Sequence, residues 1–489
     1  MTAFLDYLRF QARSRPQAPA LMSVRATLTY EELVSRSRSV ARFLLNNKLQ
    51  KGDTLVINVV DPLAHCCAII GAMAAGITTL SASGQRPTLP SKLVVDALLT
   101  DQAPVPGAPH RVIRVPPTWL KDLSYETDFP THGASGSDDI ARIVCTSGTT
   151  GEQKAVPFTE EQLVQRVWGQ VAGLRSLAGP SKTLGMMGLS SGAGFTNMML
   201  VLMTGGMLMV VPGMAQLTRV SALYEMDRVL ASTAQLIAIL RQQDSEAADF
   251  VGVKSMVVGG SHIPRAVAKR ARGICRNITC LYGSTEVGVV ATASAETTIK
   301  NQSAVGFVAP GVRIEIVDES GKDLGVDREG VIRVNVPGAP TRYLNEPEAS
   351  RKVFRDGWFY PGDIGSLSSD GLLFVSGRVS ERINAGGVKV APNVIEDVVG
   401  QRPEVAEVAA FEFIGEDGIA EIAVAIVPHE NIDRANFNRG ELRQSIQKEL
   451  REKTPRRWVI VKEIPRTEQG KIDRAALQRL SRTRTPAIA

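Results

Sequence analysis

The chain has 489 residues, 44 % hydrophobic and 22 % charged, which fits a folded globular protein long enough for more than one domain. Five cysteines without a C-x-x-C pair exclude a disulfide framework and lead us to expect free thiols in a reducing compartment. The formal charge of +6 suits an anionic ligand, and the basic residues do not interleave with aromatics as a nucleic-acid-binding module requires. Phe4 to Ala12 is interrupted by Asp6 and Arg9, so no signal-peptide shape is present and a cytoplasmic location is expected. The run Thr54–Val60 reads as a buried strand followed by a helix. His65-Cys66-Cys67 sits inside that apolar helical stretch without zinc-ligand spacing, so it reads as core packing.

Ile140–Cys145 reads as another strand, and the loop Thr146-Ser-Gly-Thr-Thr-Gly-Glu-Gln-Lys154 leaves its end. Glycines at 148 and 151 allow close backbone approach, while four hydroxyls and Lys154 supply donors, as a polyphosphate cradle needs. The spacing is not that of a Walker A loop, and a solvated turn has a similar composition. Strand-like runs at Thr183–Met187 and Lys254–Val258, each followed by helix-compatible sequence, predict α/β layers with largely parallel sheets. The apolar run Met198–Val211 is too short to span a bilayer. From Val305 the texture turns to short β-rich runs (Val312–Val317, Gly330–Val336, Leu372–Ser376), predicting antiparallel strands in a distorted barrel. After Arg378 two strands, Val405–Phe413 and Ile419–Val427, flank a Gly-Glu-Asp-Gly turn. A helix at Gly440–Lys453, a strand at Trp458–Lys462 and a helix from near Asp473 complete a small α+β unit of about 100 residues.

Four further clusters punctuate this plan: Tyr282-Gly-Ser-Thr-Glu286, Tyr360-Pro-Gly-Asp363, Gly377-Arg378 leading into Ile383–Pro392, and Gly470-Lys471-Ile-Asp-Arg474. In this order and spacing the set resembles the adenylate-forming superfamily, which holds acyl-CoA and aryl-CoA synthetases, peptide-synthetase adenylation domains and firefly luciferase. The resemblance runs from Leu28-Thr-Tyr-Glu-Glu-Leu33 to the Gly-Lys motif. It implies a large ATP- and acid-binding domain at 1–378 and a small mobile lid at 379–489. The stretch between Leu80 and Asp139 is short beside that family, which implies a trimmed N-terminal layer.

The resemblance also implies a two-step reaction. A carboxylate attacks the α-phosphate of ATP to give an acyl-adenylate, and a thiol then displaces AMP. Thr146, Ser147, Gly148, Thr149, Thr150, Gly151 and Lys154 would hold the β- and γ-phosphates. Glu286 would ligate Mg²⁺, an ion that prefers oxygen, and Thr285 would bond the α-phosphate. Tyr282, Gly283 and Ser284 would face the adenine opposite Gly259, Gly260 and Ser261, with Asp363 and Arg378 at the ribose. Lys471 would be the adenylation catalyst, offsetting the repulsion between carboxylate and phosphate. Ser380 stands at the interdomain hinge, where relatives usually carry Asp or Lys, and Gly386, Gly387 and Lys389 would line the path of the pantetheine arm of coenzyme A.

The departures from the family narrow the substrate. Gln153-Lys154-Ala155 replaces the usual Pro-Lys-Gly but keeps the lysine. Ser190 and Ser191 stand where an aromatic or His often flanks the acyl carboxylate, and Phe195-Thr196 replaces the Phe-Asp of amino-acid-activating domains. With Phe195, Val287, Gly288, Val289, Val290 and Ala291 as lining, an uncharged acyl or aryl acid is expected. Asn384 and Val394 replace a common Lys and Glu, which bears on the thioester step. No carrier domain follows Leu480, and the insertion that marks fatty acyl-AMP ligases is absent. The leading expectation is a free-standing acyl- or aryl-CoA synthetase using ATP, Mg²⁺ and coenzyme A on a small carboxylic acid. Weighed against it are a ligase loading an acyl carrier protein, a degenerate nucleotide-binding protein, and a luciferase-like oxygenase, for which nothing specific is present. The sequence does not fix the acid or the oligomeric state.

Overall fold

The computed structural model describes residues 3–82, 90, 92–102, 111–124, 126, 128–129, 138–146, 153–173, 180–211, 224–245, 253–301, 303–385, 387–414, 419–429, 432, 437–467 and 471–483. A six-stranded sheet runs in the order Val112–Arg114, Ala97–Thr100, Thr54–Asn58, Thr78–Ser81, Ile140–Thr146 and Lys154–Thr159. All neighbours in it are parallel except the last pair, in which Thr146 lies opposite Lys154. The strands are short and buried on both faces, as parallel strands covered by helices must be.

The second sheet contains fifteen strands. Pro19–Met22, Met207–Val210, Lys182–Gly185, Arg228–Ser232, Ser255–Gly259 and Ile278–Ser284 form its parallel block. From Gly288–Ser294 it continues antiparallel through Ala304–Val308, Leu372–Arg378, Asp363–Leu367 and Gly330–Asn335. The β-rich run is therefore antiparallel, as the sequence predicts. Among the described strands it extends the large sheet, and no pair closes it into a barrel.

Between the two sheets lies the principal core, filled by the helices Tyr30–Asn46, Pro62–Ala74 and Gly192–Met203. Pro62–Ala74 is buried on every side from Leu63 to Met73, the pattern of a central helix. Asp61 caps it by accepting from the amides of Leu63 and Ala64. Gly71 has a packing reason: a Cβ there would sit 2.7 Å from the Ser37 carbonyl oxygen on the neighbouring helix. His65 is buried, bonded to the Val59 carbonyl and to Ser81, and burial pulls its imidazole down to about 4. With Cys66 and Cys67 also buried, this accords with the packing role read from the sequence. All five cysteines are free, four of them buried and Cys145 half-buried. No helix among the described residues is long and apolar enough to cross a membrane.

From Ile383 onward the chain builds smaller cores of its own. Val405–Ile414 pairs antiparallel with Ala420–Pro428, which pairs parallel with Arg457–Ile460. Pro392–Val399 and Arg439–Leu450 cover one face of this three-stranded sheet, and Leu477 of Arg474–Thr483 covers the other. The elements match the hairpin, helix, strand and helix expected from the sequence, with ends shifted by a few residues.

Candidate active site

Three of the sequence motifs sit at the carboxyl ends of strands. Thr146 ends Ile140–Thr146, Gly259 ends Ser255–Gly259 and Ser284 ends Ile278–Ser284. In layered α/β proteins, this is the edge where ligands bind. Residues Ser147, Gly148, Thr149, Thr150 and Gly151 of the glycine-rich loop lie outside the described residues, as does Gly386.

The first group is built around Asp363. It is nearly buried and stands opposite Arg378 on the adjacent strand, with the Arg378 Nε 3.1 Å from its Oδ1. The Tyr282 hydroxyl donates to the other oxygen at 2.6 Å. Burial raises the Asp363 carboxyl above its ordinary value against the opposing pull of Arg378 and Tyr282. Burial also raises the Tyr282 phenol, reinforced by the Asp363 charge, so it stays a donor. Tyr282, Ser284, Val287 and Asp363 line a common recess with Pro361 and Val334. The Ser284 hydroxyl is enclosed and without a hydrogen-bond partner, an orphan that a ligand can satisfy.

The second group is built around Glu286, a buried carboxylate. The Tyr343 hydroxyl donates to its Oε1 at 2.7 Å, and Lys154 Nζ lies 5.1 Å above the Tyr343 ring. Tyr343 thus joins the lysine of the glycine-rich loop to the acid of the Tyr-Gly-Ser-Thr-Glu motif. Sequence reasoning missed it, because a lone tyrosine in a loop carries no periodic or motif signal.

Lys471 completes the constellation from the far end of the chain. It is set by a local hairpin in which its carbonyl accepts from the Thr467 amide at 2.8 Å and Arg466 bridges Ile472. Burial lowers its ammonium from the ordinary lysine value and Arg378 adds to that shift, while Glu286, Glu381 and Asp363 oppose it. Lys471, Glu286, Asp363 and Arg378 therefore share one electrostatic environment.

Other expected residues have local duties. Gly283 faces the Gly288 carbonyl oxygen, and a Cβ would lie only 1.8 Å from it. Gly260 has φ of +94° and a Cβ there would meet only Met187 Cε, at 4.0 Å, so glycine there is a conformational requirement. Gly259 packs on Leu281, and the Ser261 carbonyl accepts from Thr233. Ser191 caps Gly192–Met203, accepting from the Gly194 amide and donating to the Gly188 carbonyl, and Ser190 is half-buried beside it. Phe195 is packed in the principal core with the guanidinium of Arg142 4.6 Å from its ring, whereas Val287, Val290 and Ala291 join a core beneath the antiparallel strands. Gly288 borders Arg166, a second residue the sequence reading overlooked. Ser380 is exposed in the turn Val379–Glu381. Gly387 and Lys389 are exposed on the hairpin Ile383–Val390, and no described contact ties them to the Lys471 cluster.

The layered sheets and the charged cluster at their strand ends define a two-part α/β enzyme with a ligand cleft. The family model described as AMP-binding enzyme matches residues 8–344, and that described as AMP-binding enzyme C-terminal domain matches residues 394–471. The chain belongs to this AMP-binding enzyme family. The indoleacetate–CoA ligase of Aromatoleum aromaticum is 26 % identical over 352 residues, covering 70 % of this chain and 68 % of that protein. The medium/long-chain-fatty-acid–[acyl-carrier-protein] ligase FadD10 of Mycobacterium tuberculosis is 27 % identical over 520 residues, covering 97 % of this chain and 94 % of that protein. Among solved structures, the anthranilate CoA ligase AuaEII in complex with anthranoyl-AMP shares the fold, with a TM-score of 0.87 at 18 % identity over 98 % of this chain and 97 % of that one.

Proposed function

We propose that the protein activates a carboxylic acid with ATP and transfers the acyl group to coenzyme A, as an AMP-forming acid–thiol ligase. Family membership and the ligases among its relatives support the reaction class. The observation that carries the site reading is Lys471 in one charged environment with Glu286, Asp363 and Arg378.

In this reading a carboxylate oxygen of the acid attacks the α-phosphorus, the bond to pyrophosphate breaks, and the acyl-adenylate stays bound. A thiol sulfur then attacks the acyl carbon, AMP leaves, and the thiol proton passes to solvent. Tyr282 and Ser284 face the adenine, Asp363 and Arg378 hold the ribose, and Thr285 bonds the α-phosphate. Thr146, the loop that follows it and Lys154 take the terminal phosphates. Glu286 fits Mg²⁺, being a buried oxygen donor that Tyr343 links to Lys154, and the ion when bound would neutralise phosphate charge. Lys471 brings a cation to the meeting point of two anions, where a preorganised charge is most effective.

Residues 379–489 are assigned as a lid that turns about Ser380. The exposed hairpin carrying Gly387 and Lys389 is the face such a turn would bring in for the thiol step, while Lys471 serves the first step. An acyl carrier protein as acceptor is the second reading, favoured by the likeness to a carrier-protein ligase.

Pyrophosphate release from MgATP across a panel of carboxylic acids, with and without coenzyme A, tests the proposal. Continuous turnover that requires coenzyme A is expected. Lys471→Ala should lower adenylation by about 100- to 1000-fold, the scale of losing a transition-state charge partner. A single burst that coenzyme A does not extend would favour the carrier protein, and silence with every acid would sink the assignment.

A further inference from the structure

Arg241 stands on the helix Thr233–Ser245 of the large part, and no motif predicts a role for it. Its Nη2 lies 2.9 Å from Oε1 of Glu407, which stands on the strand Val405–Ile414 of the proposed lid. The second oxygen of Glu407 lies 3.5 Å from Nη2 of Arg466, within the lid itself. The Glu407 side chain is only 8 % exposed, whereas that of Arg241 is 41 % exposed. One buried carboxylate therefore receives a guanidinium from each part of the chain.

Arg466 stands at the base of the hairpin that carries Lys471. It pairs antiparallel with Ile472, the Lys471 amide donates to the Thr467 hydroxyl at 3.3 Å, and the Asp473 amide donates to the Pro465 carbonyl at 2.8 Å. On the far side of the hairpin, Arg474 donates to Glu396 at 2.7 Å and to the Ala410 carbonyl at 3.0 Å. These bonds tie the hairpin to the body of the lid, so whatever holds Glu407 also places Lys471. An ion pair between two exposed groups contributes little, but here the acid is buried. Removing every partner from a buried carboxylate is costly, and Arg466 keeps Glu407 paired when Arg241 withdraws. The outer bond can thus break and re-form without stranding a charge, which is what a latch between two working positions requires.

We propose that Arg241 is a positioning residue for the first half-reaction. Through Glu407 and Arg466 it latches the lid with Lys471 seated in the field of Glu286, Asp363 and Arg378, and it releases the lid for the thiol step. This rests on the adenylation and lid readings, and it adds to them a residue of the large part that touches neither substrate nor nucleotide.

The test separates the two half-reactions in the full chain for the wild type, Arg241→Ala, Arg241→Glu and Arg241→Lys. ATP–pyrophosphate exchange, with the acid that supports most of it in the panel, reads the first. Consumption of that acid's chemically prepared adenylate with coenzyme A reads the second. Arg241→Ala should lower the exchange rate about 10-fold, the scale of one hydrogen bond to a charged group. Arg241→Glu should lower it further, because like charges then face each other, and Arg241→Lys should recover part of the loss. The second half-reaction should be unchanged or faster in all three. Equal losses in both half-reactions would reduce Arg241 to a general stabiliser and overturn the proposal, as would an exchange rate that Arg241→Glu leaves intact. Modification of Lys471 by an amine-reactive reagent, followed by mass spectrometry, reads the latch without any substrate. Labelling of Lys471 should rise several-fold in Arg241→Glu. If it does while exchange is silent with every acid, the latch stands and the adenylation reading alone fails. Labelling equal to the wild type overturns the latch.

Discussion

At the scale of single residues, the titration of Lys471 is the most direct handle on the site. Burial and the neighbouring Arg378 both favour its neutral form, so its ammonium deprotonates below the ordinary lysine value. The cation is the form that offsets carboxylate–phosphate repulsion. Adenylation should therefore be sustained at low and neutral pH and decline as pH rises through the lowered value, sooner than an exposed lysine would require. A kcat/KM profile for pyrophosphate release, taken into the alkaline range, shows the limb. Substitution by arginine should move it upward, since a guanidinium stays charged, and a limb that ignores this substitution belongs to another group. Tyr343 and Arg166 act at the same scale in a different manner. One reaches Glu286 from fifty-seven positions away and the other binds carbonyls more than a hundred positions distant.

At the scale of elements, the tight turn between Ile278–Ser284 and Gly288–Ser294 fixes where Thr285 and Glu286 stand. Its closure depends on a missing side chain at Gly283, where a Cβ would overlap the Gly288 carbonyl oxygen at 1.8 Å. Gly283→Ala should cost about 3 kcal/mol or more, because the obstructing atom is backbone and cannot rotate aside. Differential scanning fluorimetry should show a clearly lowered melting temperature, with Gly371→Ala as the control for strained backbone in open space. Much of this level was legible in the sequence. Ile140–Thr146, Ile278–Ser284 and Val405–Ile414 announce themselves through apolar runs ended by glycine or hydroxyl residues. Tyr282, Asp363 and Arg378, named on the family resemblance, meet through direct bonds, and Lys471 feels the charges of the last two. The reading missed what long-range packing alone decides. Phe195 reads as pocket lining by its correspondence with a family motif, yet the helix phase turns it onto Arg142 in the core. Arg166 carries no motif signal in a helix rich in glutamate and glutamine, and only the fold reveals that it meets Ser284 and Thr285.

At the scale of the whole molecule, polar contacts among the described residues join the proposed lid to the large part. His262 bonds the buried Asp397 at 3.1 Å, and Arg241 pairs with Glu407 at 2.9 Å. Burial works against the His262 cation, but Asp397 and Glu396 outweigh burial and the opposing Arg474, so its value rises above the ordinary 6.5. A cation raised by its partner stabilises the docked form fully below the ordinary value and loses that contribution as pH climbs through the raised one. Docking should therefore be tightest in mild acid and looser in alkali. Small-angle scattering of the chain from pH 5 to about 9 should show expansion on the alkaline side, sharper than in His262→Gln, whose amide does not titrate. Equal profiles for the two proteins would remove His262 from this role.

The placement of the cysteines has a consequence for the chemistry itself. An acyl-adenylate is an electrophile that any nearby sulfur anion would consume, tagging the protein and wasting a nucleotide. Cys145 lies next to Thr146 at the mouth of the glycine-rich loop, and burial pushes its thiol up to about 11. Cys66, Cys67, Cys275 and Cys280 are buried and their thiols are likewise held protonated. The chain makes a thiol-seeking intermediate inside a body whose own sulfur is chemically silent, so the incoming acceptor meets no internal rival.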